Sequence, residues 1–193
     1  MKKTIVYLCL ALLIAVGLSC APAQKKTVQL EGEPKRADPA LEVNPLDAVA
    51  WYNKGLALGK LGRMEEALTC FERALEIKPD DDEAYYNRGI ARKGKGDVDG
   101  ALHDFDDAIR LEPNNYSAYY YRAVTRLTKF EQDDQGRTFV ANVNVEAGLK
   151  DLSEAIRLNP NLAIAYKARG YVRKLKGDLD GAAQDEEAVR RLE

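Results

Sequence analysis

Residues 82–115 read DEAYYNRGIARKGKGDVDGALHDFDDAIRLEPNN. The spacing of the aromatic, small and proline residues in this stretch recurs along the chain, and Pro45, Pro79 and Pro113 stand 34 residues apart. Pro160 follows after 47 residues, which is the same period with 13 residues inserted. A period of this length is typical of helical repeat arrays. The sequence therefore predicts a repeat domain over 45–193 with units at 48–81, 82–115, 116–162 and 163–193.

Other positions recur in step with the prolines. Each unit opens on an aromatic residue and has a small residue four positions later: Trp51, Tyr85, Tyr119 and Tyr166, then Gly55, Gly89, Ala123 and Gly170. The second half repeats a small residue, a large apolar one and an alanine: Ala67, Ala101, Gly148 and Ala182, then Phe71, Phe105 and Leu152, then Ala74, Ala108 and Ala155. The spacing resembles the tetratricopeptide repeat (TPR). That resemblance implies an all-α solenoid of four helix-turn-helix repeats that serves as a binding scaffold.

Each unit divides into two predicted helices, near 48–60 and 64–77, 82–95 and 98–111, and 162–176 and 179–192. In the third unit, the first helix is expected to end near Lys129 and the second to start near Val145. Gly62, Gly96 and Gly177 supply the left-handed residue that ends a first helix, and a proline follows each of the first three second helices. The apolar rows that recur between units form the predicted core: Met64, Val98, Val145 and Leu179; Leu68, Leu102 and Leu149; Leu75, Ile109 and Ile156; Ile77, Leu111, Leu158 and Leu192.

The last unit and a recurring set of charges break this apolar pattern. Glu186 and Arg190 stand where earlier units have apolar residues, which predicts a capping repeat with a polar outer face. Two rows of arginines recur with one row of aspartates: Arg88, Arg122 and Arg169; Arg92, Arg126 and Arg173; Asp104, Asp151 and Asp185. We interpret them as ion pairs between helices inside the solenoid, in preference to an anion-binding strip. Lys54 and Cys70 make the first repeat the exception.

The N-terminus has the order of a secretory signal. Lys2 and Lys3 precede an uncharged apolar run from Ile5 to Leu18, which is too short for a membrane span of about 20 residues. The run ends at Ser19-Cys20, and 16–20 resembles a bacterial lipobox, although Gly17 stands where a large aliphatic residue is preferred. The resemblance implies a signal peptide over 1–19 and acylation of Cys20. Ordinary cleavage after Ala21-Pro22-Ala23 is the alternative, and would leave Gln24 as a soluble start.

The segment from 20 to 44 lacks helical periodicity and contains prolines and clustered charges, which predicts a flexible tether behind the lipid. By resemblance to sorting in Gram-negative cells, Ala21 after Cys20 favours the outer membrane. The expected location is therefore extracytoplasmic, on the cell envelope. The alternative cleavage would make the chain periplasmic or secreted.

The sequence shows no catalytic constellation. His103 is the single histidine, and no Cys–His or Ser–His arrangement or metal-ligand spacing accompanies it. Cys70 is the one cysteine of the repeat domain and is interpreted as a small packing residue. Removal of residues 1–19 moves the formal net charge from −2 to about −4, which disfavours nucleic acid as a partner. We therefore expect no enzyme activity, no cofactor and no metal.

In TPR arrays the concave wall is lined by the first helices, and the repeat register carries three positions per helix onto this chain. They are Tyr52, Asn53 and Leu56; Tyr86, Asn87 and Ile90; Tyr120, Tyr121 and Val124; and Lys167, Ala168 and Tyr171. Tyrosine and asparagine side chains suit contact with a segment of another protein. Packing between adjacent helices is the alternative role for these tyrosines.

The insertion in the third unit reads as a turn over 131–136, followed by β-favouring alternation from Thr138 through Val143 and Val145. Phe139 is a candidate partner contact there, beside the alternative of a tolerated loop.

These patterns together predict a lipid-anchored adaptor that binds a protein or peptide in its concave groove. A self-associating scaffold, with the groove filled by another copy or by 24–44, is the second hypothesis.

Overall fold

The computed structural model describes residues 46–128, 130–132, 138–140 and 142–193, and is limited to the backbone in 130–132, 138–140 and 142–143. The predicted signal peptide, Cys20 and the tether lie outside these residues. The described part forms eight helices and one hairpin: α1 (Ala48–Lys60), α2 (Met64–Ile77), α3 (Asp82–Gly94), α4 (Val98–Leu111), α5 (Tyr116–Thr128), β1 (Phe130–Gln132), β2 (Thr138–Val140), α6 (Asn142–Leu158), α7 (Ala163–Lys176) and α8 (Leu179–Leu192).

The helices pair within repeats and stack between them. Within repeats, α1 packs on α2, α3 on α4, α5 on α6 and α7 on α8. Between repeats, α2 packs on α3, α4 on α5 and α6 on α7. This arrangement is the all-α solenoid of four helix-turn-helix repeats that the sequence predicts. Among the residues described, no helix has the length and apolar character needed to cross a membrane.

Aspartates and glycines set the helix ends. The backbone N–H of Ala84 donates to Asp81 Oδ1 at 3.1 Å and that of Gly100 donates to Asp97 Oδ1 at 3.0 Å, so these carboxylates cap α3 and α4. Gly62, Gly96 and Gly177 have φ of 73°, 85° and 85°. The interpretation of these glycines as left-handed residues after a first helix is confirmed.

The insertion differs in part from its expected form. β1 pairs antiparallel with β2, and Glu131 lies opposite Phe139. Strand β1 therefore occupies the start of the expected turn. Helix α6 begins at Asn142, so Val143 and Val145 are helical and the alternation that favoured a strand was wrong there. A short run of alternating apolar residues fits a helix as well as a strand, and periodicity alone does not separate the two.

Of the predicted core rows, Leu75 and Ile156 are buried, and most other members are half-buried at the edge of the core. One cluster of buried residues joins α1, α2 and α3 around Leu58 and Phe71, and another joins α5, α6 and α7 around Val124 and Leu152. Ile77, Leu179 and Leu192 are exposed instead. Ile77 ends α2, Leu179 begins α8 and Leu192 ends it, so all three lie at helix ends. Glu186 and Arg190 are exposed on α8, as the predicted cap requires.

The recurring arginines and aspartates form ion pairs inside the solenoid, which confirms their interpretation. Asp104 is 1% exposed and lies 2.6 Å from Arg88 Nη2 and 2.9 Å from Arg92 Nη1. The third and fourth repeats keep the geometry. Arg122 Nη2 lies 2.6 Å from Asp151, which Arg126 also contacts, and Arg169 and Arg173 lie 2.6 and 3.0 Å from Asp185.

The first arginine of each pair also lies over the aromatic ring that opens its repeat. The guanidinium carbons of Arg88, Arg122 and Arg169 lie 5.3, 5.3 and 5.6 Å from the ring centres of Tyr85, Tyr119 and Tyr166. This cation–π contact places each guanidinium between a ring and a carboxylate. It explains why an aromatic residue three positions before a basic one recurs in every unit.

Repeat 1 replaces the ion-paired set by a mainly apolar one. Leu58 and Cys70 stand where later repeats have an arginine and an aspartate, and both are buried. Lys54 keeps one positive charge, 5.3 Å from the ring centre of Trp51. A buried ion pair can be exchanged for apolar residues if both partners change together. The burial of Cys70 agrees with its expected packing role.

Candidate functional site

The first helices α1, α3, α5 and α7 present one equivalent face each. Residues spaced i, i+3 and i+7 share a helix face, and we call the following set the inner wall: Val49, Tyr52 and Leu56; Glu83, Tyr86 and Ile90; Ser117, Tyr120 and Val124; Ile164, Lys167 and Tyr171. The next turn of each helix adds Gly59, Lys93, Leu127 and Lys174. Asn53, Asn87, Tyr121 and Ala168 border the wall.

A hydrogen-bond network joins the wall between α1 and α3. The hydroxyl of Tyr52 donates to Glu83 Oε2 at 3.1 Å. Asn87 Nδ2 donates to the Tyr52 hydroxyl oxygen at 3.1 Å and to the Glu83 carbonyl at 2.8 Å. Burial and the Glu83 carboxylate raise the pKa of Tyr52 to about 12. The phenol therefore stays protonated at neutral pH and holds two successive first helices in register.

Aromatic rings join α3 to α5. The ring centres of Tyr86 and Tyr121 lie 5.6 Å apart in an edge-on arrangement. Both rings also contact Phe105 of α4, at 6.3 and 6.2 Å, and Tyr120 meets Tyr121 at 5.3 Å. Burial raises the pKa of Tyr86, and burial raises that of Tyr120 to about 12. Such ring pairs hold a rigid surface at the middle of the wall.

The wall residues predicted from the repeat register differ in accessibility. Tyr120 and Val124 are 7% and 5% exposed, and belong to the core cluster together with Ala168. These three side chains pack within the domain, which is the role that the alternative interpretation gave to the wall tyrosines. The others leave surface for contact. Tyr52, Leu56, Tyr86, Asn87, Ile90, Tyr121 and Tyr171 are half-buried, and Asn53 and Lys167 are exposed.

Sequence reasoning missed wall residues that lie one turn beyond the three chosen positions. Val49 is an apolar side chain that is 61% exposed, and Ile164 is its exposed equivalent in the fourth repeat. Glu83, Ser117 and Lys93 complete the same rows. The signal that identifies them is the helical spacing i−3 and i+7 from the positions of Tyr52 and its equivalents. Phe139 lies in β2, where the structure describes the backbone only. Cys20 lies outside the described residues.

Two further observations concern the predicted absence of a catalytic or metal site. His103 has an exposed side chain on the outer face of α4, 4.0 Å from Asp107. No group of metal-ligating side chains is found within the described part of the chain.

The comparison with protein families decides the classification. Models described as tetratricopeptide repeat match residues 48–81, 82–115 and 134–192. The chain belongs to the TPR family. In a curated protein, an uncharacterised protein of Methanocaldococcus jannaschii, 34 residues are 59% identical. That match covers 18% of this chain and 40% of the relative, so the chain spans less than half the length of that relative.

Solved TPR structures share the fold over most of the chain. YrrB, a TPR protein with an unusual peptide-binding site, is 25% identical with a TM-score of 0.64, and the match covers 80% of this chain and 73% of YrrB. MamA from Desulfovibrio magneticus is 23% identical with a TM-score of 0.63, and covers 76% of both chains. These likenesses agree with the stacking of four repeats described above.

Proposed function

We propose that this TPR protein is an adaptor that binds an extended segment of a partner protein along its inner wall. The observation that carries the proposal is the combination of a rigid wall and apolar side-chain surface that is exposed to solvent. The Tyr52–Glu83–Asn87 network and the Tyr86–Tyr121 pair fix the wall, while Val49 leaves most of its side chain in solvent. A preformed surface of this kind costs little ordering on binding. The peptide-binding site of YrrB supports the proposal.

Replacing Val49 by aspartate tests the wall. The wild-type protein is used to capture its partner from envelope extracts. We expect Val49→Asp to fail in this capture, with binding weakened roughly tenfold or more, because a charge then faces the apolar contact. The site is exposed and lies in the first turn of α1, where an acid is favoured, so stability should change by less than about 1 kcal/mol. Affinity purification with mass spectrometry measures the loss.

Leu61→Asp is the matched control. Leu61 is 68% exposed and follows α1, but it lies off the inner wall. Partners lost with Val49→Asp and kept with Leu61→Asp support binding on the wall. Equal recovery by both variants would move the binding surface elsewhere, with the hairpin around Phe139 as the next candidate.

The proposed adaptor is held at the cell envelope by lipid on Cys20, on the extracytoplasmic side of the outer membrane. The support is the order of Lys2-Lys3, the apolar run and Cys20 in the sequence. If residues 20–44 form the flexible tether that the sequence predicts, its reach would be roughly 25–30 Å. Such a reach would place the repeat domain off the bilayer surface while keeping it available to membrane-bound partners.

Cys20→Ala is expected to move the protein from the membrane fraction to the soluble fraction, because acyl chains supply its anchor. Cys9→Ala, which alters the apolar run only, should leave fractionation unchanged. Mass spectrometry of the mature N-terminus provides an independent readout. A modified Cys20 supports the anchor, whereas an unmodified N-terminus at Gln24 would establish the periplasmic or secreted alternative.

A further inference from the structure

The charge of the inner wall is opposite to that of the chain. The whole sequence carries a formal net charge of −2. On the wall, Lys93, Lys167 and Lys174 stand against the single acid Glu83. Lys93 follows Tyr86 and Ile90 by seven and three residues, and Lys174 follows Lys167 and Tyr171 by the same intervals, so both lysines lie on wall faces. An excess of positive charge on a surface of an acidic protein favours an acidic partner.

The charged groups of the wall differ in their partners. The Glu83 carboxylate accepts a hydrogen bond from the Tyr52 hydroxyl. Lys167 forms an ion pair with Glu193, whose Oε1 lies 2.5 Å from its Nζ. The side chain of Lys93 is half-buried. Burial lowers the pKa of the Lys93 ammonium, with no opposing contribution from a carboxylate of the described residues. Burying a charge without a counter-ion is unfavourable, so a carboxylate brought by a ligand would offset that cost.

The repeat geometry sets the distance between the two lysines. Lys93 and Lys174 occupy the same position in the second and fourth repeats. The first helices α3 and α5 touch through Tyr86 and Tyr121. Helices in contact lie roughly 8–10 Å apart, so two such steps put the two lysines at roughly 20 Å. An extended chain advances about 3.3 Å per residue, so that span corresponds to about six residues. Leu127 takes the equivalent position in the intervening repeat and is 5% exposed. Tyr86 and Tyr121 lie about two helical turns before this row, on the same side of their helices.

We propose that the segment bound by the wall is extended and acidic, with two carboxylates about six residues apart that pair with Lys93 and Lys174. Apolar side chains between these carboxylates contact the aromatic middle of the wall. This inference rests on the proposed function and adds the chemistry of the partner. It assigns Lys93 the main electrostatic role, since Lys93 is the half-buried lysine of the wall, whereas Lys167 pairs with Glu193 and Lys174 is exposed.

Synthetic peptides with blocked ends and about ten residues serve as probes, because that length spans two repeats in extended form. One peptide carries two glutamates six residues apart among leucine and serine, a second carries glutamine at both places, and a third carries lysine. Fluorescence anisotropy on the full chain measures their affinities. We expect the acidic peptide to bind roughly tenfold or more tightly than the glutamine peptide, the lysine peptide to bind weakest, and added salt to reduce the difference.

Lys93→Gln is expected to remove most of the preference for the acidic peptide. The matched control is Lys150→Gln, which changes an exposed lysine of the second helix α6 and should leave the preference intact. A fourth peptide with its two glutamates adjacent tests the spacing, and should bind several-fold more weakly than the first because one chain position cannot reach both lysines.

The outcomes separate this inference from the proposed function. Equal binding of the acidic and glutamine peptides overturns the assignment of charge, and the proposed function still stands if Val49→Asp loses the captured partner. An acidic preference that survives Lys93→Gln also overturns it. If none of the peptides binds, the inference fails, and unchanged partner capture by Val49→Asp would then remove the wall itself from the proposal.

Discussion

Asp104→Ala is expected to lower the free energy of unfolding by about 3–5 kcal/mol, because it leaves buried positive charge without its partner. The Asp104 carboxylate accepts hydrogen bonds from Arg88 Nε and Nη2 and from Arg92 Nη1, at 3.0, 2.6 and 2.9 Å. The side chains of Arg88 and Arg92 are 15% and 24% exposed, so most of each lies between α3 and α4. Urea unfolding followed by circular dichroism measures the loss as a lower midpoint with an unchanged slope.

A control in the same helix separates burial from charge. Asp107 pairs with Arg110 at 2.8 Å on the exposed side of α4, and Asp107→Ala should cost less than about 1 kcal/mol. The combined change Asp104→Cys, Arg88→Lys and Arg92→Leu copies the set found in repeat 1, and should recover a large part of the loss. Equal destabilisation by Asp104→Ala and Asp107→Ala would contradict this account of the buried charges.

Much of the fold follows from the sequence because its signals are local and repeated. A proline or a glycine ends a helix through its own backbone, whatever the partner helix does. The ion pair between Arg88 and Asp104 could be predicted from the sequence for a related reason. A charged pair that recurs at the same two positions in three repeats must occupy equivalent environments in each, and the solenoid supplies the same helix–helix contact each time.

The residue environments that the sequence did not predict depend on packing between helices rather than on periodicity along the chain. The row that contains Val49 could have been found from helical spacing, and its members Val49, Glu83 and Ile164 are exposed. Leu179 matches half-buried residues of earlier repeats but is 63% exposed at the start of α8. Tyr120 occupies the position of the half-buried Tyr52 and Tyr86 in the repeat. It is buried, since Tyr121 and residues of α7 pack against it.

The close approach of Phe105 to the backbone of α3 explains a pairing that recurs across the repeats. A Cβ atom added at Gly89 would lie 2.8 Å from Phe105 Cε1, and one added at Gly55 would lie 2.7 Å from Phe71 Cε1. The third repeat carries Ala123 together with Leu152 at the same two positions. A leucine lacks the distal ring atoms, so it leaves room for the additional methyl group.

Gly89→Ala is therefore expected to destabilise the protein by about 1–3 kcal/mol, because the Phe105 ring must shift within a packed core. Adding Phe105→Leu should make the double variant more stable than Gly89→Ala alone, since it reproduces the combination of the third repeat. Gly94→Ala is the matched control in the same helix, where an added Cβ meets nothing within 4 Å. That change should stabilise the protein by up to about 1 kcal/mol through helix propensity.

Equilibrium unfolding of the four variants Gly89→Ala, Phe105→Leu, their combination and Gly94→Ala gives the coupling between the two positions. A loss in the double variant smaller than the sum of the single losses confirms that the methyl group and the ring compete for one volume. Additive losses would show that Gly89 is required for a reason other than the ring of Phe105. The paired exchange of small and large residues between repeats would then be coincidental.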